Sequence, residues 1–76
     1  MDARIRRADR IAADQLILRL RARREELQLS QCEVAARMGC SRNYVQLVEA
    51  GELQPTLSRF LGLLRVLGLD PHYPGL

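Results

Sequence analysis

Residues 28–51 read QLSQCEVAARMGCSRNYVQLVEAG, and the signals in this stretch are local ones. Ser30 followed three residues later by Glu33 has capping-box spacing, in which each side chain satisfies a backbone amide at a helix start. A short helix is therefore expected from Gln31 to Met38, with Val34, Ala35 and Met38 facing inward. Gly39 ends it, because glycine enters the left-handed conformation that closes a helix without steric cost. Ser41 can cap the next helix, so the intervening turn spans only three or four residues. That next helix is expected from Arg42 to Ala50, burying Val45, Val48 and part of Leu47, and stopping at Gly51.

On either side the pattern remains helical. From Asp14 to Leu27 the residues Ile17, Leu20 and Leu27, with Leu16 beside them, follow a helical period among good helix formers. Upstream, Ile5, Ala8, Ile11 and Ala12 continue a similar stripe, and Arg6/Asp9 and Arg10/Asp14 are spaced for pairing along a helix. This extension is either helical or a flexible arm. Downstream, Pro55 and Thr56 open a fourth helix in which Leu57, Phe60, Leu61, Leu64 and Leu67 recur at helical spacing until Gly68. Residues 69–76 hold two prolines and a glycine, which predicts an ordered turn followed by a loose end. The expected organisation is an Arg-rich N-terminal extension over 1–15, a helical domain over 16–69 and a tail over 70–76.

Composition limits what such a chain can do. Seventy-six residues make one small domain, too short for a two-domain enzyme. At 47% hydrophobic and 28% charged residues the chain can form a packed core rather than remain disordered. Three aromatic residues and little Val, Ile or Thr argue against an all-β fold. The apolar runs are short and the N-terminus lacks a hydrophobic leader segment, so no membrane span is expected, and the location is expected to be cytoplasmic. Cys32 and Cys40, on opposite ends of one short helix, would lie ~12 Å apart, beyond disulfide reach. Neither they nor His72 has the company a metal site needs, so no metal or cofactor is expected. Without a nucleophile, a base and oxyanion donors in one cluster, and without a phosphate-binding glycine loop, catalysis is not expected either.

All twelve basic residues are arginine, reflecting either genomic base composition or planar phosphate recognition. Their distribution is uneven. Residues 1–24 carry eight Arg against three Asp, a net of +5, whereas residues 25–76 carry four Arg against six acids, a net of −2. This asymmetry points either to a basic surface for nucleic acid or an acidic partner, or to a solvated helix face of Arg/Asp pairs.

Two short helices joined by a glycine turn, the second opening on polar residues, form a helix-turn-helix, in which the second helix enters the major groove. Leu29-Ser30-Gln31, Val34-Ala35, Met38-Gly39-Cys40-Ser41, Val45, Val48-Glu49-Ala50-Gly51, Pro55 and Leu67-Gly68-Leu69 together resemble the Cro/repressor (XRE-like) family over residues 16–69. The resemblance implies an all-α, compact four- to five-helix domain, here with an N-terminal extension. It also implies site residues. Arg42 and Asn43 fall where family members read base edges, and Arg suits guanine O6/N7 as Asn suits adenine N6/N7. Gln46, one turn on, reaches a base or a phosphate; Leu47 meets a thymine methyl or packs. Gln31 resembles the family glutamine that bonds phosphate and braces the reading helix, or is a polar helix-start residue. Gln31, Ser41 and Tyr44 are the expected backbone contacts. Arg42-Asn43-Tyr44-Val45 is similar to restriction-modification controller proteins, where the tyrosine lies against sugar-phosphate or a base edge; the alternative is a half-buried helix aromatic. Arg24 and Glu49 match an ion pair that joins helix one to helix three.

The sequence also departs from the family pattern. Glu52 stands where many relatives place a basic residue near phosphate. Residues 30–50 have no net charge, with Arg37 and Arg42 against Glu33 and Glu49. Many relatives continue into a fifth helix that forms the dimer contact. Here dimerisation is expected through helix four, the tail or the N-terminal extension. The implied function is a sequence-specific transcription regulator, a repressor or controller, binding double-stranded DNA as a homodimer on a short inverted repeat. The alternative is a protein-interaction module of the same fold, anti-activator or antitoxin-like, with a protein partner engaged through the N-terminal extension.

Overall fold

A computed structural model describes residues 7–69. They form four helices, α1 (Arg7–Glu26), α2 (Gln31–Met38), α3 (Arg42–Glu49) and α4 (Leu57–Val66), with no strand among the described residues. The expected all-helical class is borne out, with the helix-turn-helix formed by α2 and α3.

The three later helices begin on a side chain that caps free amides. Ser30 Oγ accepts from the Glu33 amide at 3.0 Å while the Ser30 amide donates to Glu33 Oε1 at 3.2 Å, completing the capping box. Ser41 Oγ accepts from the Tyr44 amide at 3.1 Å, and Thr56 Oγ1 from the Arg59 amide at 3.2 Å. The Ser30 bonds hold the Glu33 carboxyl below its ordinary range.

The helix ends follow one rule as well. Gly39 sits at φ 74°, its amide donating to the Ala36 carbonyl at 3.3 Å and the Cys40 amide to Ala35 at 3.0 Å. After α1 the same left-handed position is taken by Gln28, at φ 57°. An added Cβ at Gly39 would meet nothing within 4 Å, and the same holds at Gly62 inside α4, so only backbone preference separates the two sites. Gly39→Ala is expected to destabilise by about 1 kcal/mol and Gly62→Ala to stabilise by about 0.5–1 kcal/mol. Chemical denaturation of the two variants checks the opposite signs.

All four helices contribute to one core of Leu20, Val34, Ala35, Val45, Val48, Leu63 and Leu67. α2 packs against α3 and α4, and α1 against α3. Arg23 Nε donates to the Leu67 carbonyl at 3.1 Å, fastening the end of α4 to α1.

The helix bounds differ in detail from those expected. Of the two alternatives for the extension, Arg7–Asp14 takes the helical one, as the first part of α1; residues 1–6 and 70–76, with Ile5, Arg6 and His72, lie outside the described residues. Ile11 is 48% exposed, so the upstream stripe does not extend the core. α3 ends at Glu49 rather than Ala50; Ala50 is the cap, its amide donating to Gln46 at 2.9 Å. Leu57, at helical spacing with Phe60 and Leu61, is nonetheless 73% exposed, lining an open groove with Leu16, Leu53 and Phe60 rather than the core.

Candidate nucleic-acid interface

α3 has a buried side and an open side. Val45 and Val48 lie in the core, which turns Arg42, Asn43 and Gln46 outward to solvent, with Leu47 half-buried at their edge. The Arg42 Nη1 donates to Gln46 Oε1 at 3.4 Å, a long contact one helical turn apart that an incoming partner can displace. Three side chains with hydrogen-bonding heads thus share one surface on an eight-residue helix. Ser41 is exposed, and its hydroxyl oxygen accepts the cap bond, leaving the O–H to donate elsewhere.

Behind that surface, Arg24 and Glu49 form a two-pronged pair. Arg24 Nε donates to Glu49 Oε2 at 2.7 Å and Nη2 to Oε1 at 3.0 Å, with side chains only 13% and 9% exposed. Arg24 Nη1 also donates to the Leu29 carbonyl at 2.8 Å, so one guanidinium links α1, the α1–α2 turn and α3. Burial opposes the Glu49 charge, but hydrogen bonds from Arg24 and Gln31 and the nearby guanidinium charges outweigh it, so the carboxyl is held below its ordinary range. The hydrogen bond from Arg24 to Glu49 correspondingly holds the guanidinium protonated more firmly than usual, against its own burial.

Gln31 joins this junction, its Nε2 donating to Glu49 Oε1 at 3.0 Å. The amide nitrogen carries a second N–H that this bond does not use. Gln31 is half-buried at the first position of α2, so it touches the end of α3 and the α2 entrance together.

A further basic residue, which no sequence motif marks, lies beside α3. Arg59 of α4 places its guanidinium 5.2 Å from the centre of the half-buried Tyr44 ring. It is exposed and forms no ion pair among the described residues, and a guanidinium lying over a ring keeps in-plane N–H donors for other acceptors. No local signal marks Arg59, since it comes from a different helix; its position three residues after the Thr56 cap shows only that it sits in the first turn of α4.

Among the described residues no group of three or more His, Cys, Asp or Glu is placed to hold a metal ion, and no helix is long and apolar enough to cross a membrane. Cys32 is exposed and Cys40 half-buried, both free thiols. Residues 15–72 match a family model described as a helix-turn-helix domain. No curated protein and no solved structure matches the chain.

Proposed function

The chain belongs to the helix-turn-helix domain family, of the Cro/repressor-like type whose members are DNA-binding regulators, and we propose that it is a sequence-specific transcription regulator acting as a homodimer. The observation that carries this reading is the outward row of Arg42, Asn43 and Gln46 on α3, opposite a side fixed in the core by Val45 and Val48. In this reading α3 lies in the major groove, with Arg42 and Asn43 on base edges, Gln46 on a base or phosphate, and Leu47 beside a thymine methyl. Gln31 uses its second amide N–H on a phosphate, and Ser41 and Tyr44 lie against the backbone. Arg24 and Glu49 set the angle of α3 without touching DNA. One short helix reads few base pairs, so two copies on an inverted repeat, about one helical turn apart, supply the specificity.

Fluorescence anisotropy with the chain's own promoter and a scrambled duplex, at two salt concentrations, tests the proposal. Tighter promoter binding that weakens with salt supports it; equal or absent binding by folded protein removes it. Arg59 enters as a phosphate contact held over Tyr44. Arg59→Ala is expected to lower the slope of log affinity against log salt by about one per subunit, and Arg59→Lys to retain it. An unchanged slope in Arg59→Ala would take Arg59 out of the interface.

A second reading has its own observation. An apolar groove between α1 and the start of α4, lined by Leu16, Leu53, Leu57 and Phe60, is open to solvent, as a protein-interaction module of this fold requires. Folded protein without DNA affinity at low salt, together with loss of a partner's binding in Leu57→Asp, would favour that reading.

A further inference from the structure

α1 carries apolar residues on two sides. Ile17 and Leu20 turn toward the core, whereas Ile11 and Leu18 remain 48% and 61% exposed, Leu18 beside the end of α3. The exposed residues have a register: Ala8, Ile11, Gln15, Leu18 and Ala22 follow one another at alternating steps of three and four. Those are the a and d positions of a heptad, with Ile11 and Leu18 at d; the next d position is the exposed Glu25, so the apolar seam ends at Ala22. All five are exposed, as are the flanking g residues Arg7, Asp14 and Arg21 and the flanking e residues Ala12, Arg19 and Glu26.

We propose that this seam is where the chain meets a second copy of itself, α1 pairing with α1 as a short, parallel, two-stranded coiled coil. The charges select both occupant and orientation. In a parallel pair each g residue faces the e residue five positions later in the other chain. Asp14 then faces Arg19 of the second copy and Arg21 faces its Glu26, opposite charges in both cases and repeated by the twofold axis, while Arg7 faces only Ala12 and the one like-charge meeting, Glu25 with Glu25, falls at the open end of the pair. An antiparallel pair sets g against g, which brings Asp14 onto Asp14 and Arg7 onto Arg21, like charges in both cases. Glu26 is bonded by Arg23 through Oε1 at 3.1 Å, leaving Oε2 for the second copy. Gln15 is the one polar residue among the a positions Ala8, Gln15 and Ala22, where two amides can bond across the axis and hold the register. The proposal deepens the homodimer reading above and rests on it for its role, which is to deliver two copies of α3 to one duplex. Because only Ile11 and Leu18 form large layers, pairing is weak in free solution and is reinforced when DNA holds both copies together.

Oxidative crosslinking of the 76-residue chain without DNA tests the seam. In a Cys32→Ser/Cys40→Ser background, Leu18→Cys is expected to form a covalent dimer several-fold faster than a control carrying Arg37→Cys, an exposed position on α2. Adding Asp14→Arg, or adding Arg19→Asp, is expected to slow that crosslinking by about fivefold, since each breaks two symmetry-related pairs, and adding both is expected to restore it. The seam is overturned if Leu18→Cys crosslinks no faster than the control, or if the double charge exchange fails to restore the rate. It is overturned too if Ile11→Cys mixed with Leu18→Cys outpaces Leu18→Cys alone, the antiparallel result. Protein that crosslinks at Leu18→Cys without preferring promoter over scrambled DNA keeps the seam and loses the regulator reading. Promoter-specific protein that fails to crosslink does the reverse.

Discussion

Arg42→Ala is expected to abolish most of the preference for promoter over scrambled DNA. A well-formed bidentate contact to a base discriminates by about 1–3 kcal/mol, and the proposed homodimer would make it twice, so the expected loss is about 2–6 kcal/mol, roughly thirtyfold to more than ten-thousandfold. Scrambled-duplex affinity should fall far less, since only a general positive charge is removed. The fold should not suffer, because Arg42 is exposed and its one side-chain bond is the 3.4 Å contact with Gln46. Anisotropy on both duplexes, beside a thermal melt, separates these effects. Unchanged promoter affinity in a folded variant would remove Arg42 from base reading.

Glu49→Ala is expected to produce the largest loss of stability. It leaves the Arg24 guanidinium nearly buried without its partner and takes the acceptor from Gln31. Breaking such a pair on one side costs about 3 kcal/mol, a large part of the stability of a small domain. Removing both charges together, as Arg24→Met with Glu49→Leu, should recover much of that loss because no buried charge is then stranded. Urea denaturation of the single and double variants measures the difference; a double variant no better than the sum of the singles would contradict the account.

The same carboxylate shapes the acid limb of stability. Its folded pKa lies below the ordinary value of 4.5, so the unfolded chain takes up the proton first as pH falls. The stabilisation is complete above that ordinary value and is lost as pH falls through the lower folded value. In Glu49→Gln the acid limb should flatten, with Glu33 at the α2 cap supplying a remaining dependence of the same sign.

Much of the helical layout was legible because its signals act over three or four residues. Ser30 and Glu33 bond each other's amides, Ser41 and Thr56 cap the residues that follow, and Gly39 takes the left-handed turn, all within reach along the chain. Periodicity was less reliable at the helix ends. It assigned Leu57 to the same face as Phe60, yet Phe60 packs on the core and Leu57 does not, since how far neighbouring helices extend along a face is not encoded in that helix.

Residue patterns along the chain specify four helical segments, the N-caps of the last three, and an α3 that begins with Arg42 and Asn43 and turns its valines the other way. Helix packing settles which residues from distant segments meet. Arg23 reaches Leu67 across 44 positions, and Arg59 comes to lie over Tyr44 from another helix; Arg24 reaches Glu49 across 25 positions, a pairing that only the family resemblance, and no local pattern, implied. It also decided that α1 buries Ile17 and Leu20 and leaves Ile11 and Leu18 outside. Capping bonds close short loops of chain whatever the rest does, whereas these contacts exist only once whole helices have packed at one angle and depth.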